Sequence, residues 1–149
     1  TIVNNKMNLV VIGSESPGLS QWEEIKKLPH LFYLGSMHAK KLKNYIKAAK
    51  ACLIVYNFVS LQNDQVSRSP LKALNYLAQN KPIITSIDAE ISELENDGVY
   101  KADNEEEFIG YVKKAFNNEL KVNYDKVESY LKHHKYPELI ECILKHLEK

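Results

Sequence analysis

The sequence predicts an α/β protein with a Rossmann-like, doubly wound and mostly parallel sheet, followed by a helical C-terminal end. Short apolar runs, typical of strands that are buried on both faces, alternate along the chain with segments of helical periodicity. Glycine, proline or a capping residue marks most of the changes from one to the other. Such alternation favours parallel strands joined by right-handed helical crossovers. At 149 residues, the chain is expected to form one domain.

Five apolar runs predict the strands. The first, ending at Gly13, is broken only by Asn8 and has the composition of a strand covered on both faces. The last follows an Asp97-Gly98 turn and is predicted to lie at an edge of the sheet. The predicted strands are residues 7–12, 31–34, 52–56, 83–86 and 99–102.

Helical periodicity and capping residues define the segments between the strands. Ser20 with Glu23, and Asp103 with Glu106, have the spacing of capping boxes. Pro29 ends the first helix, and Asn80 with Pro82 ends the third. Apolar side chains recur every three to four residues within each segment. The predicted helices are residues 20–28, 38–49, 70–78, an acidic one at 87–96, then 104–116, 124–135 and 137–147.

The start of the third helix is the most informative stretch. Ser69 is a good N-cap, and Pro70 fits the first helical position because its missing N–H costs nothing there. The free N–H groups at Leu71 and Lys72, flanked by the charges of Arg68 and Lys72, predict an anion site that suits a phosphate. An ordinary capped helix with surface cations is the competing interpretation.

Composition and motifs exclude several classes. A net charge of +1 gives no argument for a nucleic-acid partner, and the cysteine and histidine spacings predict no metal site. We expect Cys52 and Cys142 to be reduced and buried. Leu19 stands where a phosphate loop needs lysine, and no Gly-x-Gly-x-x-Gly motif supports an oxidoreductase. With no membrane-spanning run and no signal peptide, a cytoplasmic protein is expected.

The segment 69–86, Ser-Pro-Leu-Lys-Ala-Leu-Asn-Tyr-Leu-Ala-Gln-Asn-Lys-Pro-Ile-Ile-Thr-Ser, resembles the donor-site motif of GT-B glycosyltransferases. In one branch of that family, the motif reads Pro-x-Lys-x-x-Glu-Tyr-Leu-Ala-x-Gly-Lys-Pro-Val-Val. The order of elements from residue 7 onward is similar to the second domain of these enzymes, as are the runs 7–13, 31–35, 40–52 and 102–109. The resemblance therefore implies a domain that binds a nucleotide diphosphate-sugar.

The resemblance also implies roles for particular residues. Lys72 and Arg68 would be the catalytic cations, stabilising the leaving diphosphate without a metal or a further cofactor. Asn75 stands at the position of the ribose-binding glutamate. The remaining donor-binding positions are Gly35, Ser36 and Met37 for the base, and Ser69 and Leu71 with Lys72 for the phosphates.

Three departures from the family pattern define the alternatives. Asn75 and Ser67 replace two carboxylates, Asn80 replaces a glycine that precedes Lys-Pro, and the family's first strand has no counterpart. We therefore expect residues 1–149 to belong to a longer two-domain protein whose N-terminal domain binds the acceptor, this domain alone being inactive. The family implies a bacterial enzyme acting on a polysaccharide or glycolipid, with peripheral association at the inner membrane face. The alternative is a non-catalytic GT-B-like interaction or scaffold module.

Overall fold

The computed structural model describes residues 7–15, 20–55, 71–86 and 90–133. These residues form α-helices and parallel strands, which confirms the predicted α/β class. The chain divides into two compact units, residues 1–48 and residues 49–149. The strands are β1 (Leu9–Val11), β2 (Leu31–Tyr33), β3 (Cys52–Ile54), β4 (Ile83–Thr85) and β5 (Val99–Lys101). The helices are α1 (Ser20–Ile25), α2 (Ala39–Ala48), α3 (Leu71–Leu77), a 3-10 helix (Glu90–Leu94), α4 (Glu105–Phe116) and α5 (Tyr124–His133).

In the first unit, β1 and β2 form a two-stranded parallel sheet. Alternation along the strands puts Tyr33 on one face, where its ring meets the ring of Trp22 on α1 edge-on at 5.3 Å. Val10 and Phe32, which are partners in register, lie together on the other face and are 45% and 48% exposed. The prediction that the first strand is buried on both faces is therefore wrong, because only alternate side chains are turned away from water.

In the second unit, β4 lies between β3 and β5 in a three-stranded parallel sheet. Ile83 and Ile84 are fully buried on opposite faces of this central strand, so apolar clusters cover both sides of the sheet. Among the described residues, β5 is the last strand of this sheet, as predicted, and an isolated parallel bridge joins its Val99 to Glu95. One cluster contains Ile54, Ala73, Leu77, Ile83, Ile91, Leu94, Val99, Val127 and Tyr130, and the other contains Ile84, Ala102, Phe108 and Ala115.

The turn that ends α3 is centred, as the sequence predicts, on Asn80, three residues after the last helical residue Leu77. Asn80 adopts the left-handed conformation, with φ of 54°. Its N–H donates to the carbonyl of Leu77 at 2.8 Å, and the N–H of Lys81 donates to the carbonyl of Tyr76 at 3.2 Å. These two bonds make a Schellman motif, which satisfies carbonyls at the helix end and normally uses glycine. Asparagine takes the place of glycine here because its side chain tolerates this conformation.

Two predictions about helix faces and caps need correction. The buried face of α3 includes Ala73, whereas Ala78 is exposed, because the helix ends at Leu77 and Ala78 falls in the following turn. Helix α4 is capped by Asn104 and not by Asp103, since Asn104 has the extended backbone of an N-cap. The acidic segment 87–96 forms, within its described part, a 3-10 helix and not an α-helix.

The other predicted elements differ in how far the structure describes them. Helices α2 and α5 match the predicted segments 38–49 and 124–135, α5 being described as far as His133. Cys52 is buried as expected, whereas Cys142 and the predicted helix 137–147 lie outside the described residues. No helix among the described segments has both the length and the apolar character that crossing a membrane requires.

Candidate functional site

The predicted base-binding residues follow β2 in the first unit. Gly35 has φ of 65°, a conformation that suits glycine, and its carbonyl accepts a hydrogen bond of 3.0 Å from the N–H of Gly13. This bond joins the chain after β1 to the chain after β2, at the carboxyl ends of the two strands. Ser36 is exposed and Met37 is half-buried. The polypeptide therefore turns at Gly35 and leads directly into α2.

A group of charged and aromatic side chains lies near the same strand ends. Lys26 Nζ contacts carboxylate oxygens of Glu15 at 2.8 Å and of Glu23 at 2.6 Å. The same ammonium group lies 6.0 Å from the ring centre of Trp22 and 5.8 Å from that of Tyr33. The hydrogen bond from Lys26 holds the pKa of the Glu15 carboxyl below its usual value, and Trp22 adds a smaller contribution. Both charges are solvent-exposed, so the cluster fixes the loop after β1 without excluding water.

The phosphate-binding prediction falls in the second unit, at the start of α3. Lys72 lies in the first turn, is exposed, and makes no side-chain ion pair or hydrogen bond within the described part of the chain. Asn75 lies three residues further on, so both side chains share one exposed side of the helix. The helix begins at Leu71, whereas Arg68, Ser69 and Ser67 lie outside the described residues.

A lysine in this first turn, without an ion-pair partner in the part of the chain that the structure describes, is unusual in electrostatic terms. The N-terminal end of a helix carries a partial positive charge, so Lys72 is disfavoured there by a few tenths of a kcal/mol, on the order of 0.3 to 1. No acidic residue occupies the first turn of α3 to offset it. The helix start thus presents an ammonium group in the turn where a helix has backbone N–H groups without intrahelical partners.

Two buried hydroxyl groups at the carboxyl end of β4 were not assigned a role from the sequence. Thr85 and Ser86 are almost completely buried. Backbone hydrogen bonds join them to the neighbouring strand β3 and to the residue after β5. The N–H of Ser86 donates to the carbonyl of Ile54 at 3.2 Å, and that of Ala102 donates to the carbonyl of Thr85 at 2.8 Å. The visible signal was a Thr-Ser pair directly after two isoleucines. Ligands of open α/β sheets bind beside these strand ends.

The buried thiol of Cys52 lies at the other end of these strands, level with Ile83. Burial raises the pKa of Cys52 to about 11, partly opposed by the charge of Lys81. The thiol is therefore protonated at neutral pH, and a protonated thiol is a poor nucleophile. Burial also raises the pKa of Tyr76. Of the residues predicted for the phosphate and ribose, the described part of this unit contains Lys72, an ammonium group, and Asn75, an amide.

The predicted site residues thus divide between the two units. Gly35, Ser36 and Met37 belong to the first, and Lys72 and Asn75 to the second. Together the units define an α/β protein with parallel strands. Models of known protein families give no match to this chain, and neither do the sequences of curated proteins.

Proposed function

We propose that the chain is the donor-binding domain of a GT-B glycosyltransferase, which binds a nucleotide diphosphate-sugar. The observation that carries the proposal is Lys72, an exposed lysine that has no ion-pair partner among the described residues and lies in the first turn of a helix that follows a parallel strand. The diphosphate of a sugar nucleotide supplies the negative charge that this helix start lacks. The similarity of the segment 69–86 to the donor-site motif of that family supports the choice of ligand.

The proposed reaction needs no metal ion. Lys72 and Arg68 stabilise the negative charge that develops on the leaving diphosphate, and the N–H groups at Ser69 and Leu71 add hydrogen bonds. Asn75 bonds a ribose hydroxyl as a neutral amide. Gly35, Ser36 and Met37 are the residues we propose for the base, and the doubly wound arrangement, the cytoplasmic location and the longer enzyme are parts of the same proposal. Its acceptor would be a polysaccharide or glycolipid held by an N-terminal domain.

The direct test is donor binding by the 149-residue chain. UDP-glucose and GDP-mannose are added separately, and the thermal unfolding midpoint is followed together with calorimetric affinity. We expect one of the two donors to raise the midpoint, and Lys72→Ala to weaken its binding roughly 10- to 100-fold through loss of a charge-assisted hydrogen bond. Lys113→Ala, which removes an exposed charge from α4, is the matched control and should bind normally. Failure of both donors and of free UDP and GDP to bind would refute the proposal.

The second candidate is a non-catalytic module, favoured by Asn75 and Ser67 at the positions of two family carboxylates. Here the natural chain binds no sugar nucleotide, because a neutral amide makes a weaker bond to a ribose hydroxyl than a carboxylate does. The variant Asn75→Glu distinguishes the two. Binding that appears only in the variant supports the module, whereas binding by the natural chain supports the enzyme.

A further inference from the structure

A histidine caps the first turn of α2. The backbone N–H of Lys40 donates to Nδ1 of His38 at 3.2 Å, and the carbonyl of His38 accepts from the N–H of Lys41 at 2.9 Å. The helix begins at Ala39, so His38 occupies the N-cap position directly before it. The residues that usually occupy this position are serine, threonine, aspartate and asparagine, none of which changes charge near neutral pH. This cap, in contrast, is made by a group that titrates.

The hydrogen bond from Lys40 defines which form of the His38 ring can act as the cap. A backbone N–H can only donate, so Nδ1 must carry a lone pair and the proton of the neutral ring lies on Nε2. Protonation puts an N–H on both ring nitrogens and adds a positive charge at the positive end of the helix. Histidine is the side chain that ordinarily changes charge between about pH 5 and 8. Only the neutral ring can therefore accept the hydrogen bond.

The charges around His38 do not offset a proton on its ring. The charged side chains in the first turn of α2 and near the carboxyl ends of β1 and β2 are Lys40, Lys41, Glu15, Glu23 and Lys26. Both glutamates of this group pair with Lys26. The sequence contains no aspartate or glutamate from residue 25 to residue 63. His38 is exposed and makes no ion pair with any residue that the structure describes, so no carboxylate holds a proton on it.

The same histidine ends the segment proposed for the nucleotide base. At the start of the segment, the carbonyl of Gly35 accepts from the N–H of Gly13 at 3.0 Å, and at its end His38 is held by the cap. Ser36 and Met37 are the two residues between these attachments. We propose that neutral His38 is a positioning residue, which holds this segment in place for the base and releases it when the ring is protonated. The contact with the base rests on the function proposed above.

Donor affinity should then fall in weakly acidic solution. When the binding-competent arrangement of a protein is only fractionally populated, the apparent affinity decreases by that fraction. Loss of a helix N-cap corresponds to roughly a 5-fold change in such a population. A histidine that touched the diphosphate directly would have the opposite effect, because its positive charge would attract the phosphates. The sign of the pH dependence therefore separates positioning from direct contact.

The test uses three variants of the whole chain. His38→Asn keeps a capping side chain that does not titrate, and His38→Ala removes the cap. His30→Asn is the matched control, since His30 is an exposed histidine of the same unit and its φ of 65° is one that asparagine tolerates. Calorimetry with UDP-glucose and with GDP-mannose at about pH 5.5 and 8 measures affinity on both sides of the histidine titration. Backbone amide relaxation by NMR, without donor, measures the order of residues 36–40.

We expect the natural chain and His30→Asn to lose both affinity and backbone order at the lower pH, whereas His38→Asn keeps both. His38→Ala should bind roughly 5-fold more weakly at either pH. The same pH dependence in the natural chain and in His38→Asn, or tighter binding at the lower pH, would overturn the proposal. If neither donor binds, the proposed function fails, and the relaxation measurement alone decides whether neutral His38 holds the segment.

Discussion

The hydroxyl group of Tyr100 on β5 makes two hydrogen bonds to the backbone of Lys121. It donates to the carbonyl oxygen at 2.7 Å and accepts from the N–H at 2.9 Å. Lys121 lies in the connection between α4 and α5, which contains no regular structure. One buried side chain therefore satisfies both backbone groups of a loop residue 21 positions away.

Removing this hydroxyl should destabilise the protein measurably. In Tyr100→Phe, the carbonyl and N–H of Lys121 lose their partner while the ring remains, and we expect the free energy of unfolding to fall by about 2 kcal/mol. Urea denaturation followed by circular dichroism measures the change. Tyr124→Phe is the matched control, since Tyr124 is 58% exposed and should change stability by less than about 0.5 kcal/mol. Equal effects of the two substitutions would contradict the stabilising role of the hydrogen bonds between Tyr100 and the backbone of Lys121.

The next prediction concerns the N-cap of α4, for which Asp103 and Asn104 are the two candidates. The Oδ1 of Asn104 accepts from the N–H of Glu107 at 2.9 Å, and Glu107 Oε2 accepts from the N–H of Asp103 at 2.9 Å. Asn104→Ala should therefore lower the free energy of unfolding by about 1 kcal/mol. Asp103→Ala should cost less, because Asp103 contributes a solvent-exposed ion pair with Lys101. The reverse order in urea denaturation would make Asp103 the cap.

These caps show how far sequence reasoning extends. The periodicity of residues 105–116 predicts a helix correctly, but Asp103 with Glu106 and Asn104 with Glu107 have the same spacing. The structure favours the second pair because the backbone of Asn104 is extended, with φ of −152° and ψ of 172°. A backbone angle is set by the path of the chain from β5 into α4, and no local pattern reports it.

The exposure of one face of β1 could not be predicted from the sequence for a similar reason. The run that contains β1 is apolar throughout, and such a run predicts cover on both faces. Whether a face of the strand is buried depends on which other elements pack against it. The side chains of Val10 and Phe32 remain about half exposed. The placement of Lys72 in the first turn of a helix is confirmed, because helix boundaries depend on local properties, whereas its role in phosphate binding stays a prediction. The sequence does not predict the burial of Thr85 and Ser86, because burial of a hydroxyl group arises from tertiary packing.

Replacing Gly98 or Gly110 with alanine should change the free energy of unfolding in opposite directions. Gly98 has φ of 149°, and a Cβ there would lie 3.3 Å from Val122 Cγ1 and 3.4 Å from Val127 Cγ2. Gly98→Ala should cost about 1 to 3 kcal/mol through backbone strain and overpacking. Gly110 lies inside α4 with no atom within 4 Å of the new Cβ, so Gly110→Ala should stabilise by about 0.5 to 1 kcal/mol. Thermal unfolding of both variants measures the signs, and a neutral Gly98→Ala would contradict the packing described.

The buried thiol of Cys52 should make stability fall in alkaline solution. Burial raises its pKa from 9.0 to about 11, so between these values the unfolded chain releases the proton while the folded protein keeps it. Fewer protons are then bound by the unfolded state, and the free energy of unfolding decreases as the pH rises through this interval, by roughly 3 kcal/mol in total. Below pH 9 the contribution is fully present.

Urea denaturation at a series of pH values, with a reducing agent present, measures this decline. In Cys52→Ala the fall that begins near pH 9.0 should disappear, although the variant starts from a lower stability because a side chain has been removed from the core. Tyr76→Phe is the control, because burial raises the pKa of Tyr76 above 10.0 and its own contribution therefore begins at higher pH. The early part of the decline should persist in that variant. A natural chain whose stability stays constant between pH 9 and 11 would show that the Cys52 thiol ionises as readily in the folded protein as in the unfolded chain.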